Sequence, residues 1–225
     1  MALICGIEEA GRGPVIGPLV MCGLLATEEE IELLPKIDVR DSKLLAPKKR
    51  EELAKKIKNI VKKSRIIIVP PAEIDDAVES DTLNLNWLEA IKSAEIINEL
   101  KPDIVCLDCP SNNIRAYANY IRKYLKNKKI ELNCVHKGES KFRIVAAASI
   151  MAKVARDKEI EKIQENIKED IGSGYPADPI TKNFLLKYHD KYSDIFRKSW
   201  ASYKEVLSVK GQRTLTGFDK FLERK

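Results

Sequence analysis

"CGIEEAGRGPVIGPLV", residues 5–20, places two adjacent carboxylates, Glu8 and Glu9, at the end of an apolar run and just before a glycine-arginine-glycine turn. Like charges that close repel, and burying them costs several kcal/mol unless a cation compensates them. The pair therefore points outward from the first strand to a ligand. The apolar runs on either side, 2–7 and 15–25, have strand length, and the short glycine-rich link between them predicts antiparallel neighbours. Further strands are expected at 65–69 ("RIIIV", stopped by Pro70 and Pro71), 104–108 ("IVCLD") and 130–136 ("IELNCVH"). Helical patterns cover 47–63, 83–99 and 111–127, and a long helix begins near Arg143. Three early strands followed by strand-helix alternation argue for the α/β class, with the later strands parallel to the first.

The chain has 225 residues, 44% hydrophobic and 33% charged, enough for one large domain with a real core. It contains no run of about 18 apolar residues to span a membrane, and its start lacks the pattern of a signal peptide. Cys5, Cys22 and Cys134 lie inside apolar runs, and the total of five cysteines is odd, as expected of buried thiols in a reducing cytoplasm. Cys106 and Cys109 form the one C-x-x-C pair; with only His136 and His189 elsewhere, the ligand arithmetic of zinc is not met. The net charge is +6, and residues 48–65 hold nine basic side chains against two acidic ones, which is either a plain solvated helix face or the footprint of a polyanionic partner, most commonly nucleic acid. The Lys, Glu and Ile richness, with two glutamines, leans toward a thermophile. No heptad stripe marks an interface, so a monomer is expected.

In open α/β sheets, ligands bind beyond the carboxyl ends of the strands. There the first strand releases Glu8 and Glu9, the fourth ends in Asp108, and the fifth leads into "HKGES", which carries Glu139. Four carboxylates without histidine or cysteine suit a hard cation, Mg²⁺ or Mn²⁺, and two such ions serve phosphodiester hydrolysis. A glycosidase would need an aromatic-lined cleft, and the chain is 6% aromatic. "GRGPVIG" leads into a strand and so is not a dinucleotide fingerprint; Gly11, Arg12 and Gly13 instead let backbone approach a ligand, as a reader of a ribose 2′-hydroxyl must. In "IGSGYPADP" (171–179), Tyr175 is either a core anchor or a stacking platform. In "RDSKLL" (40–45), Ser42 and Lys43 offer phosphate contacts or an N-cap. Arg156 and Asp157 are expected to form an ion pair on the long helix.

"GIEEAGRGPVIGPLV", "RDSKLL", "HKGES", "AAASIMAKVARD" and "GSGYPADP" stand in the order and spacing of type 2 ribonuclease H (ribonuclease HII), which the chain resembles, in its archaeal form, from Ile4 to about Lys204. The resemblance implies a ribonuclease H-like mixed sheet flanked by helices (1–170), a helical C-terminal region completing the cleft (171–207) and a flexible tail (208–225). It implies cleavage of RNA in RNA/DNA hybrids and of single ribonucleotides in duplex DNA, on the 5′ side of the ribonucleotide. The family's metal-binding carboxylates fall on Glu8, Glu9, Asp108 and Glu139, its 2′-hydroxyl turn on Gly11, Arg12 and Gly13, its junction-sensing tyrosine on Tyr175, and phosphate contacts on Ser42 and Lys43. Arg197, Lys198 and Lys204 are expected to add to the grip on phosphates. In the tail, Gln212, Leu215 and Phe218 resemble a sliding-clamp docking peptide, with Asp219 where a second aromatic is usual.

Two departures bear on activity. Glu8 and Glu139 stand where the family usually has aspartate. Each added methylene moves a carboxylate by about a bond length, roughly 1.5 Å. Either paired backbone shifts compensate, leaving a cytoplasmic metal-dependent endoribonuclease, or the chain is a clamp-docked binder of RNA/DNA duplexes that cleaves them weakly.

Overall fold

The computed structural model describes residues 1–35 and 45–208. The expected contacts at Ser42, Lys43, Gln212, Leu215 and Phe218 lie outside these described residues. Five strands form one sheet in the order β3-β2-β1-β4-β5: β1 is Ile4–Ala10, β2 Leu19–Ala26, β3 Lys63–Val69, β4 Ile104–Asp108 and β5 Glu131–Val135. β1 and β2 are antiparallel, as are β2 and β3, whereas β4 runs parallel to β1 and β5 parallel to β4. This is the mixed sheet expected of the α/β reading. Among the described residues, no helix is long and apolar enough to cross a membrane.

The helices are α1 Glu28–Leu33, α2 Pro47–Ile60, α3 Pro71–Glu79, α4 Leu85–Leu100, α5 Ile114–Tyr124, α6 Gly138–Lys141, α7 Arg143–Asn166 and α8 Pro179–Tyr188, with a last one over 201–208. Three were not anticipated: α1, α3 and the single turn of α6. α1 starts on a capping box, Thr27 with Glu30, and α3 begins at Pro71. The Pro70-Pro71 pair stops β3 and at the same time supplies a preset first helical turn.

The strands alternate between two cores. Cys5 and Ile7 of β1 face α4 and α5, packing with Ala94, Ile97, Tyr117 and Ile121. Cys22 and Leu24 of β2 face the other side, against Ile57 of α2 and the alanine-rich start of α7. Small residues let α7 lie close on the sheet: a Cβ at Gly6 would stand 2.6 Å from the Ile144 carbonyl carbon. A further core joins Val15 and Ile16 to Phe184, Phe196, Tyr203 and Val206, so the C-terminal region packs on the β1–β2 connection.

Two strand boundaries differ from expectation in ways that matter for the site. β1 continues through Glu8 and Glu9 to Ala10, paired with β2, whereas the pairs with β4 stop at Ile7 and Leu107. The two glutamates therefore project past the shorter neighbour. β2 begins at Leu19 rather than 15, because the Val15 and Ile16 N–H groups both donate to the Gly174 carbonyl and Gly17 turns at φ +82°.

Candidate active site

A cleft of about 800 Å³ opens at the carboxyl edge of β1 and β4, lined by Glu8, Glu9, Asp108 and Glu139 together with Gly11, Arg12, Gly13 and Tyr175. Thus the four candidate carboxylates, the glycine-arginine-glycine turn and Tyr175 all reach one cavity, whereas Arg197, Lys198 and Lys204 do not line it. The pleat separates Glu8, on the α7 face with Gly6 and Ala10, from Glu9, on the α4 face with Cys5 and Ile7. Asp108 ends β4, and its Oδ1 accepts the Gly138 N–H at 2.7 Å. A Cβ at Gly138 would meet the Asp108 backbone nitrogen at 2.9 Å, so glycine brings the segment carrying Glu139 close to the end of β4. Ser149 of α7 donates to Glu139 Oε2 at 3.4 Å.

Glu8 and Glu9 both have raised pKa values. Burial is the main cause for Glu8, followed by the charges of Glu9, Asp108 and Glu139. Glu9 is pushed up to about 7 by burial and by Asp108, against the pull of Arg12. Glu8 is 8% exposed, and its Oε2 is buried without a hydrogen-bond partner. An all-oxygen donor set with an orphaned buried oxygen fits a hard divalent cation. Among the described residues, however, no three acidic, histidine or cysteine side chains are grouped tightly enough to hold an ion as they stand.

α7 supplies the opposite wall with Ser149, Lys153, Arg156 and Ile160, residues on one helical face at spacings of four, three and four. The sequence reading missed Ser149 and Lys153, although polar residues recurring at helical spacing in a buried alanine-rich helix were the available signal. The expected Arg156–Asp157 pair does not form. Asp157 instead accepts from Arg50 Nη2 at 2.8 Å, while the Arg156 guanidinium lies 5.5 Å from the centre of the Tyr175 ring. Arg156 is 7% exposed, its Nε and Nη2 lack hydrogen-bond partners, and burial lowers its pKa. Tyr175 is 45% exposed, so it is a surface of the cleft and not a core anchor. Its loop turns through Gly172 and Gly174 at positive φ, as the composition required.

Arg12 points away from the chemistry. Its Nε donates to Glu89 Oε1 at 3.0 Å and its Nη2 to Asn86 Oδ1 at 2.5 Å, both on α4. Burial, with Glu9 adding to it, lifts the pKa of Glu89 to about 8 against the attraction of Arg12. Nothing in the local sequence marked Glu89, a glutamate in an amphipathic helix pattern. The expectation that Arg197 grips a phosphate is corrected. Arg197 is fully buried and donates to the Gly11, Arg12 and Gly17 carbonyls, and Lys204 pairs with Glu79. Hydrophobic packing of Phe196 and the bridge from Ile16 to Phe196 draw Arg197 inward. His136 is exposed with Nδ1 at 3.1 Å from the Cys109 carbonyl, and His189 is buried beside Tyr203.

The model of the family described as ribonuclease HII matches residues 5–203. The chain belongs to the ribonuclease HII family. A relative from Methanocella arvoryzae named ribonuclease HII is 44% identical over 219 residues, covering 96% of each chain. The crystal structure of ribonuclease H2 from Pyrococcus horikoshii superposes with a TM-score of 0.80 at 39% identity, over 91% of this chain and 96% of that one. A PCNA:RNase HII complex from Archaeoglobus fulgidus contains a similar chain, with a TM-score of 0.78 at 34% identity over 90% of this chain and 96% of that one. As a ribonuclease HII this protein is a metal-dependent nuclease that hydrolyses RNA in hybrids with DNA.

Proposed function

We propose that this ribonuclease HII uses Glu8, Glu9, Asp108 and Glu139 to hold two Mg²⁺ or Mn²⁺ ions and cuts on the 5′ side of a ribonucleotide, in RNA/DNA hybrids and at single ribonucleotides in duplex DNA. The observation that carries the reading is the convergence of all four carboxylates on a cleft that also holds the Gly11–Gly13 turn and Tyr175. Bound ions would supply an activated water and charge neutralisation at the scissile phosphate. Glu9 and Asp108, delivered by adjacent strands, hold the primary position with Glu8, and Glu139, oriented by Ser149, completes the second. Arg156 and Tyr175 form the facing wall, a cation and a ring suited to a phosphate and a sugar. Gly11, Arg12 and Gly13 contact the ribose 2′-hydroxyl through backbone, since the Arg12 side chain is engaged by Glu89 and Asn86. Ser42 and Lys43 remain proposed phosphate contacts.

The test is a labelled DNA duplex with one ribonucleotide, incubated in Mg²⁺, in Mn²⁺ and in chelator beside an all-DNA control. A metal-dependent nick 5′ to the ribonucleotide, with the control uncut, supports the reading; cutting of the control or of the 3′ side overturns it. The ungrouped carboxylates and the glutamates at 8 and 139 favour one second reading, a binder with impaired cleavage. Glu8→Asp and Glu139→Asp decide between them: under the second reading the double variant cleaves on the order of 10²-fold faster, and under the first it gains little.

The proposal includes docking on a sliding clamp through Gln212, Leu215 and Phe218, supported by the Archaeoglobus complex. It also places a monomeric protein in the cytoplasm, a setting in keeping with five buried free thiols.

A further inference from the structure

The three carbonyls of the glycine-arginine-glycine turn are all engaged from the C-terminal region. Arg197 Nη2 donates to the Gly11 carbonyl at 2.6 Å, Arg197 Nη1 to that of Arg12 at 3.0 Å, and Trp200 Nε1 to that of Gly13 at 3.1 Å. The donor segment is itself tied down. Arg197 N–H reaches the Val15 carbonyl, Arg197 Nε the Gly17 carbonyl, and the Lys198 and Ser199 N–H groups both donate to the Asp75 carboxylate of α3. The Trp200 ring lies 4.9 Å from the Arg197 guanidinium carbon.

Peptide geometry turns this into a statement about the cleft. In a planar trans peptide the C=O and the following N–H point in opposite directions, and no cis bond is present among the described residues. The Gly11 and Arg12 carbonyls point to a fully buried guanidinium, so the Arg12 and Gly13 N–H groups point away from it. Among the described residues, neither N–H has a backbone acceptor. The peptide after Gly13 offers no N–H at all, because residue 14 is proline.

We infer that Arg197 and Trp200 are positioning residues that set the turn as a pair of N–H donors, selecting an oxygen acceptor on the substrate sugar. Resting on the proposed ribonucleotide reading, this makes the C-terminal region the determinant of ribose discrimination. Its buried arginine takes up the acceptors, so the turn reads the oxygen of a 2′-hydroxyl and offers nothing to a 2′-deoxy carbon.

The test uses the full chain in chelator, measuring affinity for a duplex with a single ribonucleotide and for the same duplex in all-DNA form. Trp200→Phe keeps an aromatic ring beside Arg197 and loses the bond to Gly13; Arg197→Lys removes the forked donors. The expected ribo-over-deoxy preference falls roughly 3-fold in the first and roughly 10-fold in the second, each lost hydrogen bond costing a modest factor, while all-DNA affinity stays constant. Should Arg197→Lys fail to fold, Trp200→Phe alone decides. An unchanged preference in folded Trp200→Phe, or an equal loss on both duplexes, overturns the inference and assigns these residues a purely structural role. A wild-type protein without any preference overturns the ribonucleotide reading itself, and this inference with it.

Discussion

Glu8-Glu9 and Gly11–Gly13 lie within six residues of one another on the same cleft, yet the fold holds them in opposite ways. The glutamates are in electrostatic conflict: Glu8 is buried and Glu9 half-buried, both are raised in pKa by desolvation and by Asp108, Glu8 also by Glu9, and a Glu8 oxygen is left unpartnered. The turn is the reverse, with each carbonyl paired and the Arg12 side chain secured on α4. A frustrated cluster has stability to gain from a cation, and a satisfied turn presents fixed geometry without reorganisation. Under the proposed function, one pole serves chemistry and the other recognition.

The most severe way to break the first pole is Asp108→Asn. The amide oxygen can still accept the Gly138 N–H, so the fold is kept, while a ligand charge is lost. Hybrid cleavage is expected to fall by on the order of 10²-fold or more, measured as kcat at saturating metal. The same change relieves repulsion, so the metal-free Tm is expected to rise by about 2–4 °C.

At the second pole, Gly11→Ala imposes a Cβ at φ +83° and 2.5 Å from the Arg156 Cδ and Nε. Backbone strain and the clash together cost about 3 kcal/mol, read from the denaturant midpoint. A near-neutral result would mean that the turn is not held as described. Arg12→Ala removes the partner of a carboxylate that is 1% exposed and should cost about 2 kcal/mol, the pair being open on the arginine side. Glu89 then loses the attraction that opposes its upward shift, so its folded pKa rises further above the unfolded value. Stability carried by its neutral form is lost as pH rises through the folded pKa, and the deficit should widen from pH 6 to pH 9 in thermal melts.

The smallest effect sharpens the contrast without mutation. Glu8 and Glu9 have folded pKa values above the ordinary carboxylate range, so the metal-free protein loses stability as pH rises from about 5 through about 7, the value reached by Glu9, and on toward about 10, the value reached by Glu8. Added Mg²⁺ should therefore raise Tm by a few degrees more at pH 8 than at pH 6. An equal shift at both values would separate metal binding from the raised carboxylates.

The strand segments, their mixed directions and the strand-end carboxylates were legible because they rest on local signals: apolar runs of strand length, and acids that follow them; the order of the strands in the sheet was not. The long helix was equally plain from its start at Arg143. Its functional face was not, since Ser149, Lys153 and Arg156 become a wall only when small residues and Gly6 let α7 lie against β1. Lysines and arginines in a basic chain look alike in sequence. Whether one grips a phosphate or, like Arg197, sits fully buried beneath a turn depends on which hydrophobic neighbours carry it inward.

By itself, then, the sequence determined the α/β class, the family through five ordered motifs, and the carboxylates that line the cleft, because strand periodicity and strand-end acids are written within a few residues. Tertiary structure alone decided that Glu8 and Glu9 project past β4, that Asp157 turns to Arg50 and not to Arg156, and that Arg197 and Trp200 reach back 186 and 187 residues to the Gly11 and Gly13 carbonyls. Those outcomes depend on burial and on hydrogen bonds between segments far apart in the chain, which no local pattern encodes.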